Sequence, residues 1–169
     1  MRLYLHRLVR AAKLDVELYK EVVAEPRLLN QAWITVLIYA MLASWGSFGR
    51  AGAVGSNIGM ISALIGWYVW VISTYFIATK FFREKSVETE RGDRKTAIRA
   101  MGFACAPGVI RILGIIPGLG MVVFAVSSIW MIVAATIAVK VALNIENTAH
   151  AAGVCIIGCI IGAIAQGLL

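Results

Sequence analysis

Charge is missing from four long tracts of this 169-residue chain. Its 16 basic and 9 acidic residues leave Leu28–Gly49, Ala51–Thr79, Ile112–Val139 and Asn147–Leu169 empty of charge. Each tract is long enough to cross a hydrocarbon core of about 30 Å, which takes about 20 helical residues. With 60% hydrophobic and 15% charged residues, the chain lies outside the soluble range of about 45–50% and about 25%. The absences exclude a soluble domain and imply an all-α, polytopic transmembrane bundle.

Other scarcities narrow the function. No Asp or Glu falls inside a span, which argues against a proton relay or a cation-coupled site built on an intramembrane carboxylate. Histidine occurs only as His6 and His150, and haem or pigment ligation wants a histidine at suitable depth. His150, at the head of the last span, is the one candidate pigment or metal ligand, and it reads first as an interfacial polar residue. The three cysteines, Cys105, Cys155 and Cys159, all lie in apolar segments. Without further ligands nearby they read as small packing residues. GxSxG, HExxH, CxxC and Walker patterns are missing. The expectation is a protein that is not an enzyme and holds no cofactor beyond bound lipid.

The charge that is present gives a direction. Net charge is +7, and in a membrane protein such an excess belongs to cytoplasmic loops facing anionic head groups rather than to nucleic acid. Six basic residues precede the first span, seven lie from Lys80 to Arg99, and Lys140 follows the fourth span; only Arg50 and Arg111 fall on the other side. The positive-inside rule then sets the N-terminus in the cytoplasm and the C-terminus outside the cell membrane. No signal-peptide pattern precedes the first span.

Residues 1–27 mix charge with Leu5, Leu8, Val9, Ala12, Val16, Tyr19, Val22 and Val23 at helical spacing. They predict one amphipathic helix, ended by Pro26 and lying on the head groups or on the protein's own surface. A five-span domain over 28–169 follows, with spans near 30–48, 57–82, 97–113, 119–139 and 149–168. Asn30 and Ser56 or Asn57 are the expected N-caps, and Gly46–Asn57 the expected external turn.

The third span is interrupted by Pro107-Gly108. A proline there removes the hydrogen bond to the Phe103 carbonyl, so a kinked or broken helix is expected, packed among its neighbours. Its flanking Arg99 and Arg111 are expected to reach toward opposite interfaces; were Arg111 to lie deep, it would be the best functional candidate. Pro117 and its glycines predict a turn into the fourth span. In the last span Ala151, Cys155, Cys159, Ala163 and Gly167 recur every fourth residue, and Gly158 and Gly162 form a GxxxG. Small residues let backbones approach closely in lipid, so this is either a packing face within the bundle or a face for another protein.

Several stretches carry a resemblance: Leu18-Tyr19-Lys20-Glu21-Val22, Glu25-Pro26, Met101-Gly102-Phe103-Ala104-Cys105-Ala106-Pro107-Gly108, Ile115-Ile116-Pro117-Gly118-Leu119-Gly120, and Trp130 in the next helix. With them, nearly the whole chain resembles the bacterial branch of the Yip1 domain family of five-span membrane proteins. The resemblance implies a compact five-helix bundle with a cytoplasmic N-terminus, and no catalytic residue. Eukaryotic relatives look like trafficking factors that bind small GTPases and shape membranes; with only residues 1–27 ahead of the first span, no counterpart of their long cytoplasmic N-terminal region is expected in this sequence.

The expected function is lateral contact with lipids or with another integral membrane protein, as scaffold, assembly factor or accessory subunit. The alternative is a small-solute or lipid transport protein with a cavity at the broken third helix.

Overall fold

Leu14 sets the first departure from the sequence pattern. Its φ of 62° puts a leucine in the left-handed region, which side chains with a Cβ rarely enter. There the amphipathic N-terminal segment splits into two helices, α1 (Arg2–Ala12) and α2 (Val16–Ala24). Asp15 begins α2, its carboxylate accepting from the Glu17 N–H at 3.0 Å. The single helix expected over 1–27 is therefore a helical hairpin.

The computed structural model describes residues 2–46, 48–81 and 93–168, with the backbone path alone over 48–56. Every described element is helical: α3 (Leu29–Gly46), α4 (Phe48–Phe81), α5 (Arg94–Phe103), α6 (Gly120–Ala142) and α7 (Thr148–Gly167), with 3-10 turns at Pro26–Leu28 and Ala106–Ile115. Four of these helices are long and apolar enough to cross a membrane, and five if the bent pair α5 and Ala106–Ile115 makes one span.

Pro26 starts its 3-10 turn, with Glu25 extended before it and its carboxylate accepting from the Arg27 N–H. The chain thus enters α3 without using Asn30 as a cap; Asn30 lies inside the helix. α4 starts at Phe48, well before the expected Ser56 or Asn57. The glycines read as an external turn are helical. Ser47, the charged loop residues 82–92 and the Arg50 side chain lie outside the described residues.

The break at Pro107 is as expected in kind. α5 ends at Phe103, four residues before the proline, and the chain turns by 44° into the 3-10 segment. The carbonyls freed by the change of helix type are taken up locally. The Cys105 N–H donates to Gly102 O at 3.2 Å, the Cys105 thiol to Met101 O at 3.6 Å, and the Gly108 N–H to Cys105 O at 2.8 Å. Gly118, with φ of 87°, makes the turn that follows.

α3 and the bent pair run side by side in the same direction: Ala32 meets Gly102, Tyr39 meets Gly108, and Gly46 meets the Arg111 backbone. α7 runs antiparallel to α4. A Cβ at Gly158 would strike Thr74, and one at Gly162 would strike the Gly66 carbonyl. The Trp70 indole N–H donates to the Cys155 carbonyl at 2.9 Å across this contact. Lipid tails give helices no hydrophobic reason to associate; close backbone contact through small residues holds α4 to α7 instead.

The N-terminal hairpin packs on the bundle. Ala11, Leu18, Tyr19 and Val22 are fully buried, Tyr4 shares a 3.0 Å hydrogen bond with Thr35, and Trp130 donates to Ala12 O at 2.9 Å. Its other side faces outward with Leu3, Leu5 and Val9.

Candidate functional site

Two arginines flank the broken segment, and both are held by neighbouring groups of the protein. Arg99 is 5% exposed. Its guanidinium donates to Val22 O and Val23 O, each at 2.6 Å, with Thr96 Oγ1 at 3.5 Å. Those carbonyls belong to the last turn of α2, where helix geometry leaves four acceptors without intrahelical partners and where a cation is favoured by the helix dipole. Arg99 is a structural clasp between α5 and α2.

Arg111 turns into the bundle. Its Nε donates to Ser127 Oγ at 2.9 Å, Nη1 to Tyr39 Oη at 2.8 Å, and Nη2 to Ser128 Oγ at 2.8 Å. The guanidinium carbon lies 4.6 Å from the Phe124 ring centroid and 5.2 Å from that of Tyr39. Tyr39 sits seven residues before the end of α3 at Gly46, and Ser127 seven after the start of α6 at Gly120. At 1.5 Å per residue, both helices place the guanidinium about 10 Å inside the Gly46 end of the bundle. Arg111 turns inward because three hydroxyls and two ring faces offer this cation a solvation shell inside the bundle.

The electrostatics of the site are one-sided. Arginine is always charged and carries five N–H donors. Among the described residues its three hydrogen-bond partners are neutral and no ion pair includes it. Aromatic faces recover part of the lost hydration, yet a charge in a low-dielectric interior is costly without a counter-charge.

Space lies on both sides of the guanidinium. A cavity of about 120 Å³ opens between α4, α6 and α7, reaching Trp67, Trp70, Ser128, Met131, Gly162 and Gln166. A second, of about 240 Å³, lies at the Gly46 end and reaches Ala43, Ser44, Ala63, Gly114 and Val123. Arg111 and Phe124 line both cavities, so their stacked side chains form the partition between them.

The remaining sequence candidates are distributed elsewhere. Phe103 and Pro107 are buried, and a Cβ on Gly108 would strike the Tyr39 ring and Met131 sulfur; the break itself is closely packed. Pro117 belongs to the exposed turn before α6. On α7, Ala151, Cys155, Gly158 and Gly162 are buried, Cys159 is half-buried and lines the smaller cavity with Ala163. The small-residue face is thus a packing face toward α4. His150 is exposed, and among the described residues no group of three His, Cys, Asp or Glu gathers to hold a metal.

Tyr39 and Phe124 were not singled out by the sequence pattern. The adjacent hydroxyls Ser127-Ser128 lie in the fourth span, where such groups satisfy backbone carbonyls or bridge helices. Ser127 does donate to Phe124 O at 3.0 Å, while both serines also accept from Arg111. An unpaired arginine and a serine pair at matching depths of neighbouring spans is the signal that joins them.

Chemically, the arrangement can hold an anion. Arginine does not deprotonate in proteins, and among the described residues no imidazole or carboxylate lines either cavity. The Yip1 domain family model matches residues 16–169, leaving α1 outside the matched region. No curated relative and no solved structure matches the chain.

Proposed function

This chain belongs to the Yip1 domain family, and from that premise we propose that it is a non-enzymatic integral membrane protein acting by lateral contact with lipids and neighbouring membrane proteins. Its place is the cell membrane, with the N-terminal hairpin on the cytoplasmic side, a direction supported by the charge asymmetry between loops. One observation carries the reading: the interior is closed at the break. Pro107 is buried, Gly108 is packed against Tyr39 and Met131, and the small-residue face of α7 is taken by α4. Contact is left to the perimeter, where Ile156, Ile157, Ile160, Ile161 and Ile164 form an outward stripe on α7, and to the cavities at Arg111. The test is gentle detergent purification of the full chain, followed by identification of the lipids and proteins that accompany it. Specific companions that survive washing support the reading. A chain that emerges bare overturns it.

The cavities flanking Arg111 favour a second reading, transport of a lipid or small solute. It is separated from the first by reconstituting the protein in vesicles and following transbilayer movement of a fluorescent phospholipid. Movement above that of protein-free vesicles replaces lateral contact with transport.

A further inference from the structure

We propose that Arg111, Tyr39 and Ser128 form a binding site for a tetrahedral oxyanion, the phosphate of a lipid head group. The hydroxyl protons carry the argument. Three hydroxyl oxygens accept from Arg111, and a hydroxyl that accepts from a cation turns its own proton away from it. The Ser127 proton goes to Phe124 O. Those of Tyr39 and Ser128 meet no acceptor among the described residues, and both side chains line the 120 Å³ cavity. Arg111 also keeps two N–H donors beyond the three in use. Up to four donors therefore border one cavity, around a positive charge that meets no carboxylate among the described residues. Charge-assisted hydrogen bonds of guanidinium to phosphate are short and strong, and the geometry of the planar fork suits them.

The surroundings select a lipid as the source of the phosphate. The site is about 10 Å inside the end of the spans. Beyond the polar groups its walls are Trp67, Trp70, Met131, Ile132 and Ala163, which suit glycerol and acyl carbons rather than a hydrated ion. The larger cavity at the Gly46 end leads to the other face of the Arg111–Phe124 partition. A head group can enter there and exchange the two ring faces for direct hydrogen bonds. This assignment rests on lipid contact, as proposed above, only for the origin of the phosphate; the donor set stands independently of it.

The test is native mass spectrometry of the full chain in detergent, titrated in separate arms with phosphatidylglycerol, with diacylglycerol and with inorganic phosphate. Retention of phosphatidylglycerol, none of diacylglycerol, and a roughly tenfold loss of retention in both Ser128→Ala and Tyr39→Phe is expected. Melting curves of the two variants guard against loss of fold, since each removes a hydroxyl without altering the shape of the site. Binding of inorganic phosphate without lipid retention overturns the lipid assignment. Equal lipid retention in wild type and variants, or binding of none of the three, overturns the site.

Discussion

The indole N–H of Trp130 donates to the main-chain oxygen of Ala12 at 2.9 Å, joining the last turn of α1 to the middle of α6. A helix end leaves carbonyls without partners, and here a membrane helix supplies one from 118 positions away. The hairpin is thereby latched as well as packed. Trp130→Phe keeps most of the ring and removes the donor. It is expected to cost about 1 kcal/mol and to speed amide exchange in residues 2–12, with the rest of the bundle unchanged. Exchange in α1 equal to that of the wild type would show the latch to be idle.

Arg99 holds the other helix of the hairpin. Arg99→Met strands two carbonyls of α2, and each charge-assisted bond is worth about 1.5–3 kcal/mol. The expected outcome is a large fall in melting temperature together with proteolytic access to residues 16–25. Arg99→Lys recovers little, because an ammonium lacks the fork that serves Val22 O and Val23 O together. Full recovery by lysine would reduce Arg99 to a point charge.

The α4–α7 contact predicts a steric result. At Gly162 a side chain meets the Gly66 carbonyl and the Trp70 backbone, neither of which can move as a side-chain tip can. Gly162→Leu is expected to cost at least about 3 kcal/mol and to reduce the yield of folded protein. Ala163→Leu, at an exposed position beside it, is expected to fold normally. If Gly162→Leu folded as wild type and lost a companion protein instead, the face would serve docking rather than internal packing.

Acid is expected to release the hairpin. Hydrogen bonding from Arg10 holds the Asp15 carboxyl below its ordinary value. For Glu21, burial pushes upward, and the bonds from Arg7 at 2.6 Å and Arg10 at 3.0 Å outweigh it, leaving its carboxyl lowered as well. Groups with depressed values stabilise the fold above the ordinary carboxylate range, and that contribution is lost as pH falls through the depressed values. Proteolysis of α1 should therefore begin to quicken as acidification enters the ordinary range of Asp and Glu, and should reach its full rate below the depressed values. Opening that begins nearer neutrality would point to groups other than these carboxylates.

Much of the bundle was legible because a bilayer punishes charge: the four apolar spans follow from where Lys, Arg, Asp and Glu are missing, and the break follows from the lost N–H of Pro107. What was hidden depended on distance or on a single dihedral angle. Nothing in Lys13-Leu14-Asp15 announces a left-handed leucine, so the hairpin read as one helix. The early start of α4 was masked by glycines that punctuate soluble chains and continue membrane helices. The partnership of Arg111 with Tyr39 spans 72 positions, beyond any local pattern. The arginine itself stood out, because an isolated charge between apolar tracts demands a partner whether or not the sequence names it.

The 3-10 geometry of Ala106–Ile115 also bears on its reach. A 3-10 helix rises about 2.0 Å per residue against about 1.5 Å for an α-helix. Ten residues of α5 and ten of the 3-10 segment therefore make about 35 Å of contour, where an unbroken α-helix would make about 30 Å. Inclining either half by the 44° bend shortens the projection again to about 30 Å, the thickness of a hydrocarbon core. The tighter winding returns the length that the bend removes, so the bent segment keeps the height of a straight α-helix of the same number of residues.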